Sequence, residues 1–259
     1  MSEATDECGS LILVGTPIGN LADLSPRAME ALVSADVILA EDTRVSMKLL
    51  RHAGAHPPQL LPLRGPNALS PSTLRELIEE GRKVVVVSDA GMPSISDPGN
   101  ELIDIVLAVG ASISVIPGPS ASITIASLAN FDVSSFLFAG FLPSRAGKRR
   151  QRLMELRSHG LPLVLFEAPH RIRESLVDLV DVLGADRRAV VGRELTKRYE
   201  EIRYGTLGEL AAYFNTKDPL GEFSLCIEPP AYDPEERAGD VNITKLVEVL
   251  NRLGISTKA

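Results

Sequence analysis

A polar loop after a predicted buried strand carries the first residues of this chain that suit ligand binding. The stretch VVVVSDAGMPSISDPG, residues 84–99, leads from four valines into about eleven loop residues, whereas a plain turn needs two to four. Asp89 stands at the strand end, where its carboxylate can accept hydrogen bonds from a ribose or an amino group, with a local turn role as the alternative. Gly91 permits close backbone approach to a ligand, and Asp97 is interpreted as the N-cap of the next helix rather than as a ligand contact.

Two further loops follow predicted strands in the first half of the chain. GTPIGN, residues 15–20, lacks the G-x-G-x-x-G spacing of a dinucleotide-binding loop, and Pro17 removes a backbone N–H that would cradle phosphate. A tight strand-to-helix turn is the alternative interpretation. PGPSA, residues 117–121, places Ser120 at a predicted helix start, where it acts as an N-cap, a ligand donor or both.

Two charged segments in the second half could also belong to a site. FEAPHRIRES, residues 166–175, places His170 and Arg171 near the start of a predicted helix, and a structural role for the histidine is the alternative. GRELTKRYEE, residues 192–201, is dense in both charges, which is typical of a solvated face. Because this segment directly follows an apolar strand, a binding site there becomes more favoured relative to a solvated face.

Several familiar chemistries are missing from the sequence. It contains no G-x-S-x-G elbow, no Walker loop and no H-E-x-x-H motif. Cys8 and Cys226 lie far apart and cannot form a metal site alone. We therefore expect no bound metal.

Strand and helix signals alternate through about the first 120 residues. This alternation predicts an α/β fold with a parallel or mostly parallel sheet and helices on both faces. Ligands bind outside the carboxyl ends of the strands in such sheets, which is where the unusual loops lie. The predicted strands are LILVG (11–15), DVILAED (36–42), VVVVS (84–88) and SISVI (112–116).

Helix ends are also recognisable in this half. Ser25 is predicted to cap a helix that begins at Pro26 and buries a face carrying Met29, Leu32 and Val33. Further signals are a Thr73–Glu76 capping box in STLRELIEEG (72–81), with Gly81 as its stop, and Gly110 after the helix that carries Leu102, Ile105, Val106 and Val109.

The pattern changes after about residue 120. Short neighbouring segments such as RRAVVGRE and YEEIRYG favour antiparallel pairing, so we predict a mixed sheet and a domain boundary near 118–125. The predicted units are an N-terminal α/β domain (1–120), a C-terminal α/β domain (121–230), and a linker with part of a helical extension (231–259). The predicted strands are FLFAG (136–140), LPLVLFE (161–167), RAVVG (188–192), EEIRYGT (200–206) and EFSLCIE (222–228).

Composition and charge narrow the class of protein. Hydrophobic residues make up 44% of the chain, no apolar run has the length of a membrane helix, and the acidic N-terminus lacks the features of a secretory signal, so we expect a cytoplasmic protein. The net charge of -7 argues against a protein coated with positive charge. A local basic cluster nevertheless occurs in SRAGKRRQRLMELR, residues 144–157.

The loop motifs, taken together and in order, resemble the ribosomal small-subunit methyltransferase I family of the tetrapyrrole (corrin/porphyrin) methylase fold. The motifs are VGTPIGNLADLSPRA, AEDTR, SDAGMPSISDPG, PGPSA, GFLP, APHR and ELTK. The resemblance spans residues 11 to about 228 and implies two α/β domains with the cofactor in the cleft between them. It further implies an S-adenosylmethionine-dependent 2′-O-methyltransferase whose target is a cytidine ribose in the decoding region of small-subunit ribosomal RNA. The resemblance also implies a homodimer.

The resemblance assigns expected roles to residues at the matching motifs. Because a ribose hydroxyl is a poor nucleophile, a carboxylate could assist, and the candidates at strand ends are Glu41, Asp42 and Glu194. An ion pair with Arg44 is the alternative role for Glu41 and Asp42. The expected cofactor contacts are Pro17, Asp89, Ala90, Gly91, Ile95, Ser120, Ala121, Phe166, Arg193, Glu194 and Leu195.

A ribosomal RNA substrate would also need cations that contact phosphate. As isolated residues, those of the basic cluster are most simply a solvated helix face, but an RNA substrate favours phosphate contact. The candidates are Arg145, Lys148, Arg149, Arg150 and Arg152, with Arg171, Lys197 and Arg198 as weaker ones.

The chain departs from the family pattern at three places. LPLRGPN keeps Asn67 but lacks the histidine and glutamate usual there, Met92 stands where threonine is common, and the helical extension stops at NRLGISTKA. The missing histidine and glutamate keep a non-catalytic ribosome-binding factor with a retained cofactor pocket as an alternative. A second alternative is a tetrapyrrole C-methyltransferase, although such enzymes favour a G-D-P loop after the third strand and have no use for the basic cluster.

Overall fold

The structure is a computed structural model that describes residues 8–65, 68–95, 99–216 and 219–230. Asn67, Asp97 and the predicted C-terminal linker and helix lie outside the described residues.

The first half of the chain forms a five-stranded sheet in the order β3-β2-β4-β1-β5. Every pairing in it is parallel, as the alternating pattern predicts. Val14 lies opposite Val87 on one side and Ile116 on the other, so the carboxyl ends of three strands meet at one edge. The strands are β1 (Ser10–Val14), β2 (Val37–Ala40), β3 (Gln59–Pro62), β4 (Lys83–Val87) and β5 (Ser112–Ile116).

Helices cover both faces of this sheet, which confirms the predicted architecture. Val85 and Val87 pack into the core on one face, while Val84 and Val86 pack into the core on the other. The four-valine run is therefore buried on both sides, as expected for a central parallel strand. The helices are α1 (Pro26–Val33), α2 (Thr43–Ala53), α3 (Pro71–Glu79) and α4 (Asn100–Ala108), with a 3-10 turn at Leu21–Asp23.

Two details of the predicted helices are wrong. The N-cap of α3 is Ser70, whose hydroxyl accepts from the Thr73 N–H at 3.1 Å, so the predicted Thr73–Glu76 capping box does not form. Val33 is 55% exposed, since α1 turns Ala28 and Ala31 inward instead. Ser25 does cap α1, accepting from the Ala28 N–H at 3.2 Å.

One helix and one strand were absent from the predicted elements. Asp42 caps α2 by accepting from the Arg44 N–H at 2.9 Å, and Gly54 ends the helix with φ of 69°. Strand β3 then adds an edge beside β2. The acidic pair after β2 therefore begins a helix as well as ending a strand.

The second half forms a mixed five-stranded sheet in the order β6-β7-β10-β8-β9. Strands β6 and β7 pair in parallel, and the other pairings are antiparallel, including the predicted β8–β9 pair. The strands are β6 (Leu137–Phe141), β7 (Leu163–Glu167), β8 (Arg188–Arg193), β9 (Glu201–Thr206) and β10 (Phe223–Ile227). The helices are α5 (Ala121–Ser127), α6 (Ala146–Arg157), α7 (Ile172–Leu183) and α8 (Leu207–Asn215). The division into two domains near residue 120 stays a prediction.

One buried cluster joins the two halves. Ile18, from the loop after β1, belongs to a cluster that otherwise comes from residues 121 onward, including Ile125, Val164, Val190 and Cys226. Ile18 is 8% exposed, so this contact removes its side chain from water. The loop after β1 is therefore held by the second half of the chain.

Within the described residues, no helix combines the length and the apolar character that crossing a bilayer requires. The same residues contain no group of three or more His, Cys, Asp or Glu side chains placed to hold a metal ion.

Candidate functional site

A cavity of about 550 Å³ lies where loops of the two halves meet. The first half contributes residues from the ends of β1, β2 and β4. The second half contributes residues from the start of α5, from β6, from the end of β7 and from the start of β10. The lining residues are Ile18, Glu41, Asp89, Ala90, Gly91, Met92, Ile95, Ser120, Ala121, Ser122, Phe138, Phe141, Phe166, Glu167, Ala168, Pro169, His170, Glu222, Phe223 and Ser224.

The loops after β1 and β4 are joined by backbone hydrogen bonds beside this cavity. The Thr16 N–H donates to Gly91 O at 2.9 Å, and the Gly91 N–H donates back to Thr16 O at 3.2 Å. The Thr16 hydroxyl also donates to Ser88 O at 3.2 Å. Gly91 has φ of 82°, a conformation that glycine adopts at little cost. The two loops therefore form one rigid unit.

The loops after β1 and β5 pack backbone against backbone. A Cβ atom added at Gly15 would lie 2.5 Å from Gly118 N, and one added at Gly118 would lie 2.7 Å from the carbonyl carbon of Gly15. Neither position has room for any side chain. This contact brings Ser120, two residues beyond Gly118, to the cavity wall.

Three carboxylates cluster at the ends of β2 and β4. The Asp42 N–H donates to Asp89 Oδ1 at 3.0 Å, and the Asp89 N–H donates to Glu41 Oε2 at 3.3 Å. Burial raises the pKa of Asp89, and the charges of Glu41 and Asp42 raise it further, against the opposing effect of the Asp42 N–H. A positively charged ligand group would relieve this crowding of negative charge.

Asp42 is committed to a different partner. Its carboxylate lies 2.7 Å from Arg44 Nη2 and accepts from Arg44 Nε at 3.1 Å. These hydrogen bonds lower the pKa of Asp42 to about 2. The alternative role predicted for this residue, an ion pair with Arg44, is what the structure contains.

Glu194 is also held by neighbours. Its Oε1 accepts from Lys197 Nζ and from the Glu222 N–H, each at 2.9 Å. Burial opposes ionisation, but these hydrogen bonds outweigh it, and the pKa of Glu194 is lowered. Glu194 has φ of 52°, and Thr196 has φ of 65°, so this turn carries backbone strain of the kind found at functional sites.

The expected cofactor contacts fall into two groups. Those that line the cavity are Asp89, Ala90, Gly91, Ile95, Ser120, Ala121 and Phe166. Pro17, Arg193, Glu194 and Leu195 lie outside the lining set. Arg193 Nε sits 3.0 Å from Glu201 Oε2, and Leu195 is buried in the same cluster as Ile18.

The second half supplies lining residues that the sequence reasoning missed. Phe138 and Phe141 pack edge-to-face on Phe166, with ring centroids 4.9 and 5.8 Å apart. Phe138 and Phe141 belong to β6 and Phe166 to β7, which the sheet places side by side. The sequence did contain one indication of these lining residues, because the motifs GFLP and APHR both stand at the ends of predicted strands, where ligands bind. His170, weighed but not chosen, also lines the cavity.

The expected RNA contacts are placed in different surroundings. Arg149 is 1% exposed, its Nε bonded to Asp178 Oδ2 at 2.5 Å, so it does not face solvent as an RNA contact must. Arg150 also pairs with Asp178, and Arg152 pairs with Glu155. Arg171 pairs with Glu167, Lys197 pairs with Glu194 and Glu222, and Arg198 lies 5.6 Å from the Tyr199 ring centre. Arg145 and Lys148 are exposed at the start of α6.

The donor set of the cavity fits S-adenosylmethionine. The carboxylate of Asp89 suits ribose hydroxyls or a positive centre, and the phenylalanine rings suit an adenine base. Ser120 occupies the N-cap position of α5 but makes no cap hydrogen bond, so its hydroxyl remains directed to Ser122 and the cavity. The cavity volume also falls within the range of small-molecule sites.

Comparison with known proteins agrees with this geometry. Residues 10–211 match the family model described as tetrapyrrole (corrin/porphyrin) methylases. A protein of Mesorhizobium japonicum is 41% identical over 236 residues, covering 88% of this chain and 78% of its own. A protein of Thermotoga maritima is 42% identical over 223 residues, covering 85% and 98%. Both are named ribosomal RNA small subunit methyltransferase I.

Solved structures share the fold at low identity. A cobalt precorrin-4 methyltransferase of cobalamin biosynthesis superposes with a TM-score of 0.61 and 18% identity, covering 87% of this chain and 97% of its own. A uroporphyrin-III-C-methyltransferase from Thermus thermophilus gives a TM-score of 0.57 and 20% identity, covering 84% and 94%. These superpositions establish a common architecture. At such low identities they carry no information on the substrate.

Proposed function

Because this chain belongs to the ribosomal RNA small subunit methyltransferase I family of the tetrapyrrole methylases, we propose that it methylates the 2′-oxygen of a cytidine ribose in the decoding region of small-subunit ribosomal RNA. The methyl donor of the family is S-adenosylmethionine. We also propose that the protein works in the cytoplasm and as a homodimer.

One observation carries the proposal, namely a single cavity with an acidic wall and an aromatic wall. The first half contributes the carboxylates of Glu41 and Asp89 to its lining, and the second half contributes the rings of Phe138 and Phe166. When bound, S-adenosylmethionine supplies an electrophilic methyl group on a positively charged sulfur. The residues of the cavity then have to hold the acceptor oxygen in line with that methyl group, since alignment alone accounts for much of the acceleration in such transfers.

Glu41 is the candidate that we propose for accepting the proton of the ribose hydroxyl. Of the three carboxylates considered, Glu41 lines the cavity, whereas Asp42 is bonded to Arg44 and Glu194 to Lys197. A pKa of about 2 makes Asp42 a poor base near neutral pH. Replacement Glu41→Gln should lower kcat and leave the binding of S-adenosylmethionine nearly unchanged.

Exposed cations near the cavity support an RNA substrate. Arg145 and Lys148 begin α6, which follows directly on the strand that carries Phe138 and Phe141. They give phosphates a place to bind next to the methyl-transfer cavity despite the net charge of -7.

The decisive experiment incubates the protein with radiolabelled S-adenosylmethionine and small ribosomal subunits that lack the modification. We expect label on one ribose of the decoding region, mapped by nuclease digestion. Label on a base or on a different subunit would contradict the proposed target.

Uroporphyrinogen III serves as the competing acceptor, because a macrocycle substrate would also suit the aromatic wall. Cofactor binding without label on either acceptor would favour a non-catalytic ribosome factor. The molar mass of the protein, measured by light scattering as it elutes from a size-exclusion column, tests the homodimer.

A further inference from the structure

Arg171 ties together the two segments that close the second half of the cavity. Its Nη2 donates to the backbone oxygen of Leu142 at 2.6 Å. Its Nε lies 3.3 Å from Glu167 Oε1. The side chain is 18% exposed and Glu167 is 2% exposed, so solvent screens this ion pair weakly. One guanidinium therefore links the end of β7 to the segment after β6.

Glu167 is itself fixed from two other directions. Its Oε2 accepts from the Ser175 hydroxyl at 2.5 Å, and its Oε1 accepts from the Ala168 N–H at 2.9 Å. Ser175 belongs to α7, so the carboxylate is anchored to a helix as well as to its own strand. A carboxylate held this way gives Arg171 a fixed partner.

The linked segments carry residues that line the cavity. Leu142 directly follows Phe141, a cavity residue, and precedes exposed Arg145 and Lys148 on the way into α6. Glu167 directly follows Phe166 and precedes His170. The sheet pairs Phe141 with Phe166, and the contact between Arg171 and Leu142 O then holds the segment that leaves β6 against the end of β7.

A second arginine holds the same segment from behind. Arg149 Nη1 donates to Ser144 O at 3.1 Å, and its charge is balanced by Asp178 of α7. The backbone oxygens of Leu142 and Ser144 are thus each held by an arginine. A solvated loop between a strand and a helix needs no such contacts.

We propose that Arg171 is a positioning residue for the RNA substrate, which it serves by holding the start of α6 at a set place beside the cavity. This inference rests on the proposed function. In this arrangement Arg145 and Lys148 bind phosphates while the target ribose enters between Phe141 and His170.

An arginine suits this task and a lysine does not. The two acceptors, Leu142 O and Glu167 Oε1, are reached by different nitrogens of one planar group. An ammonium group has a single nitrogen, so Arg171→Lys preserves the charge beside Glu167 but cannot keep both contacts in the same geometry.

The test compares Arg171→Lys, Arg171→Met and Glu167→Gln with a matched control, Arg188→Met. Arg188 also pairs with a carboxylate, Glu228, and with a backbone oxygen, that of Asn130, but it lies at the start of β8 and outside the cavity lining. Three quantities are measured: kcat and KM for the small subunit, the Kd of S-adenosylmethionine, and the Kd of the cofactor-free protein for the subunit.

We expect Arg171→Lys to raise KM and the cofactor-free Kd for the subunit by about tenfold or more, with kcat changed less than threefold and the Kd of S-adenosylmethionine changed less than twofold. Arg188→Met should leave both subunit values unchanged. The proposal would be overturned if KM were unchanged in Arg171→Lys and Glu167→Gln and kcat fell only as far as the fraction of folded protein fell. Should Arg171→Met fail to fold, the other two variants still decide the question. Failure of the wild-type protein to methylate removes the proposed function instead, and the cofactor-free Kd then decides the positioning role by itself.

Discussion

The backbone N–H of Asp42 donates to the carboxylate of Asp89 at 3.0 Å, which joins the ends of two adjacent strands through residues 47 positions apart. The same two loops exchange a second bond, from the Asp89 N–H to Glu41. The carboxylate of Asp89 is thereby oriented before any ligand arrives, so little conformational freedom remains to be lost on binding.

Asp89→Asn should weaken the binding of S-adenosylmethionine by about 10- to 100-fold, as expected for losing a hydrogen bond to a charged acceptor. The amide keeps the shape of the side chain and an oxygen for the Asp42 N–H, so the fold should be preserved. Calorimetry measures the Kd. Asp132→Asn is the matched control, because Asp132 accepts from Ser134 on a surface turn outside the lining of the cavity. Equal affinities in wild type and Asp89→Asn would exclude Asp89 as a ligand contact.

The stability that ionised Asp42 contributes should depend on pH. Its pKa is lowered from 3.8 to about 2 in the folded protein, so the contribution is fully present above pH 3.8 and disappears as the pH falls toward 2. Denaturation of wild type and Asp42→Asn should therefore differ by a constant amount from pH 7 to pH 5. The difference should then shrink below pH 4. The asparagine retains the N-cap oxygen. Because the charge of Asp42 also raises the pKa of Asp89, the comparison is repeated in an Asp89→Asn background, where the titration of Asp89 does not enter the difference. A difference that stays constant down to pH 2 would contradict this account.

Arg149→Met should lower the free energy of unfolding by about 3 kcal/mol, because it leaves the carboxylate of Asp178 buried with Arg150 as its remaining partner in the structure. Urea denaturation measures the loss. The double variant Arg149→Met/Asp178→Leu removes the buried charge as well and should recover part of the stability. A double variant less stable than Arg149→Met would show that Asp178 has another stabilising role.

Arg145→Ala and Lys148→Ala should weaken the binding of small subunits without lowering stability, since both side chains are exposed. Each lost phosphate contact should reduce the slope of log K against log salt by about 0.7 to 0.9. Filter binding over a salt series measures the slope. The control is Arg82→Ala, because Arg82 is paired with Glu80 just before β4, at the strand end away from Asp89. Slopes that stay at the wild-type value would place the phosphate contacts elsewhere.

The two thiols should react at very different rates. Cys8 is exposed, whereas Cys226 is 0% exposed and burial raises the pKa of its thiol to about 11. At pH 8 about one thousandth of Cys226 would be thiolate, the reactive form, even with free access. An aromatic disulfide reagent should therefore modify one thiol per chain at once and the second only in denaturant. Rapid modification of both thiols in native protein would contradict the burial of Cys226.

The fold followed from the sequence where hydrophobic pattern alone decides it. The run at residues 84–87 is apolar at every position because β4 is covered on both faces, and this pattern is unambiguous. Helix α2 escaped prediction because its apolar residues do not mark its buried face, since Val45 and Met47 are exposed while Ser46 is buried. In addition, Asp42 was interpreted as chemistry rather than as a helix cap. A carboxylate between a strand and a helix is typical both of a binding site and of an N-cap, and the sequence alone does not separate these two roles.

Most residues on the side of the site formed by the first half were predictable, whereas Phe166 was the cavity residue indicated among the strands of the second half. The loops of the first half contain glycines, prolines and carboxylates, which mark strand ends locally. Phe138 and Phe141 look like ordinary strand residues, and only the pairing of β6 with β7 turns them toward a cavity. Arg149 shows the same limit, because its partner Asp178 is 29 residues away. A local signal did exist, since Arg149, Leu153 and Leu156 form the buried stripe of α6 at helical spacing.

The burial of Ile18 in a cluster of the second half has a consequence for the order in which the protein folds. Ile18 is synthesised long before Val190 and Cys226, its partners in that cluster, leave the ribosome. The first sheet can form early from contacts among its own strands, but the cluster that buries Ile18 is incomplete until β10 supplies Cys226. Contacts so distant in sequence form late, because the chain entropy lost in closing them is large. The cavity between the two halves is therefore completed last, and a chain whose synthesis stops before β10 would contain a folded first sheet beside a cavity that lacks Phe223 and Ser224.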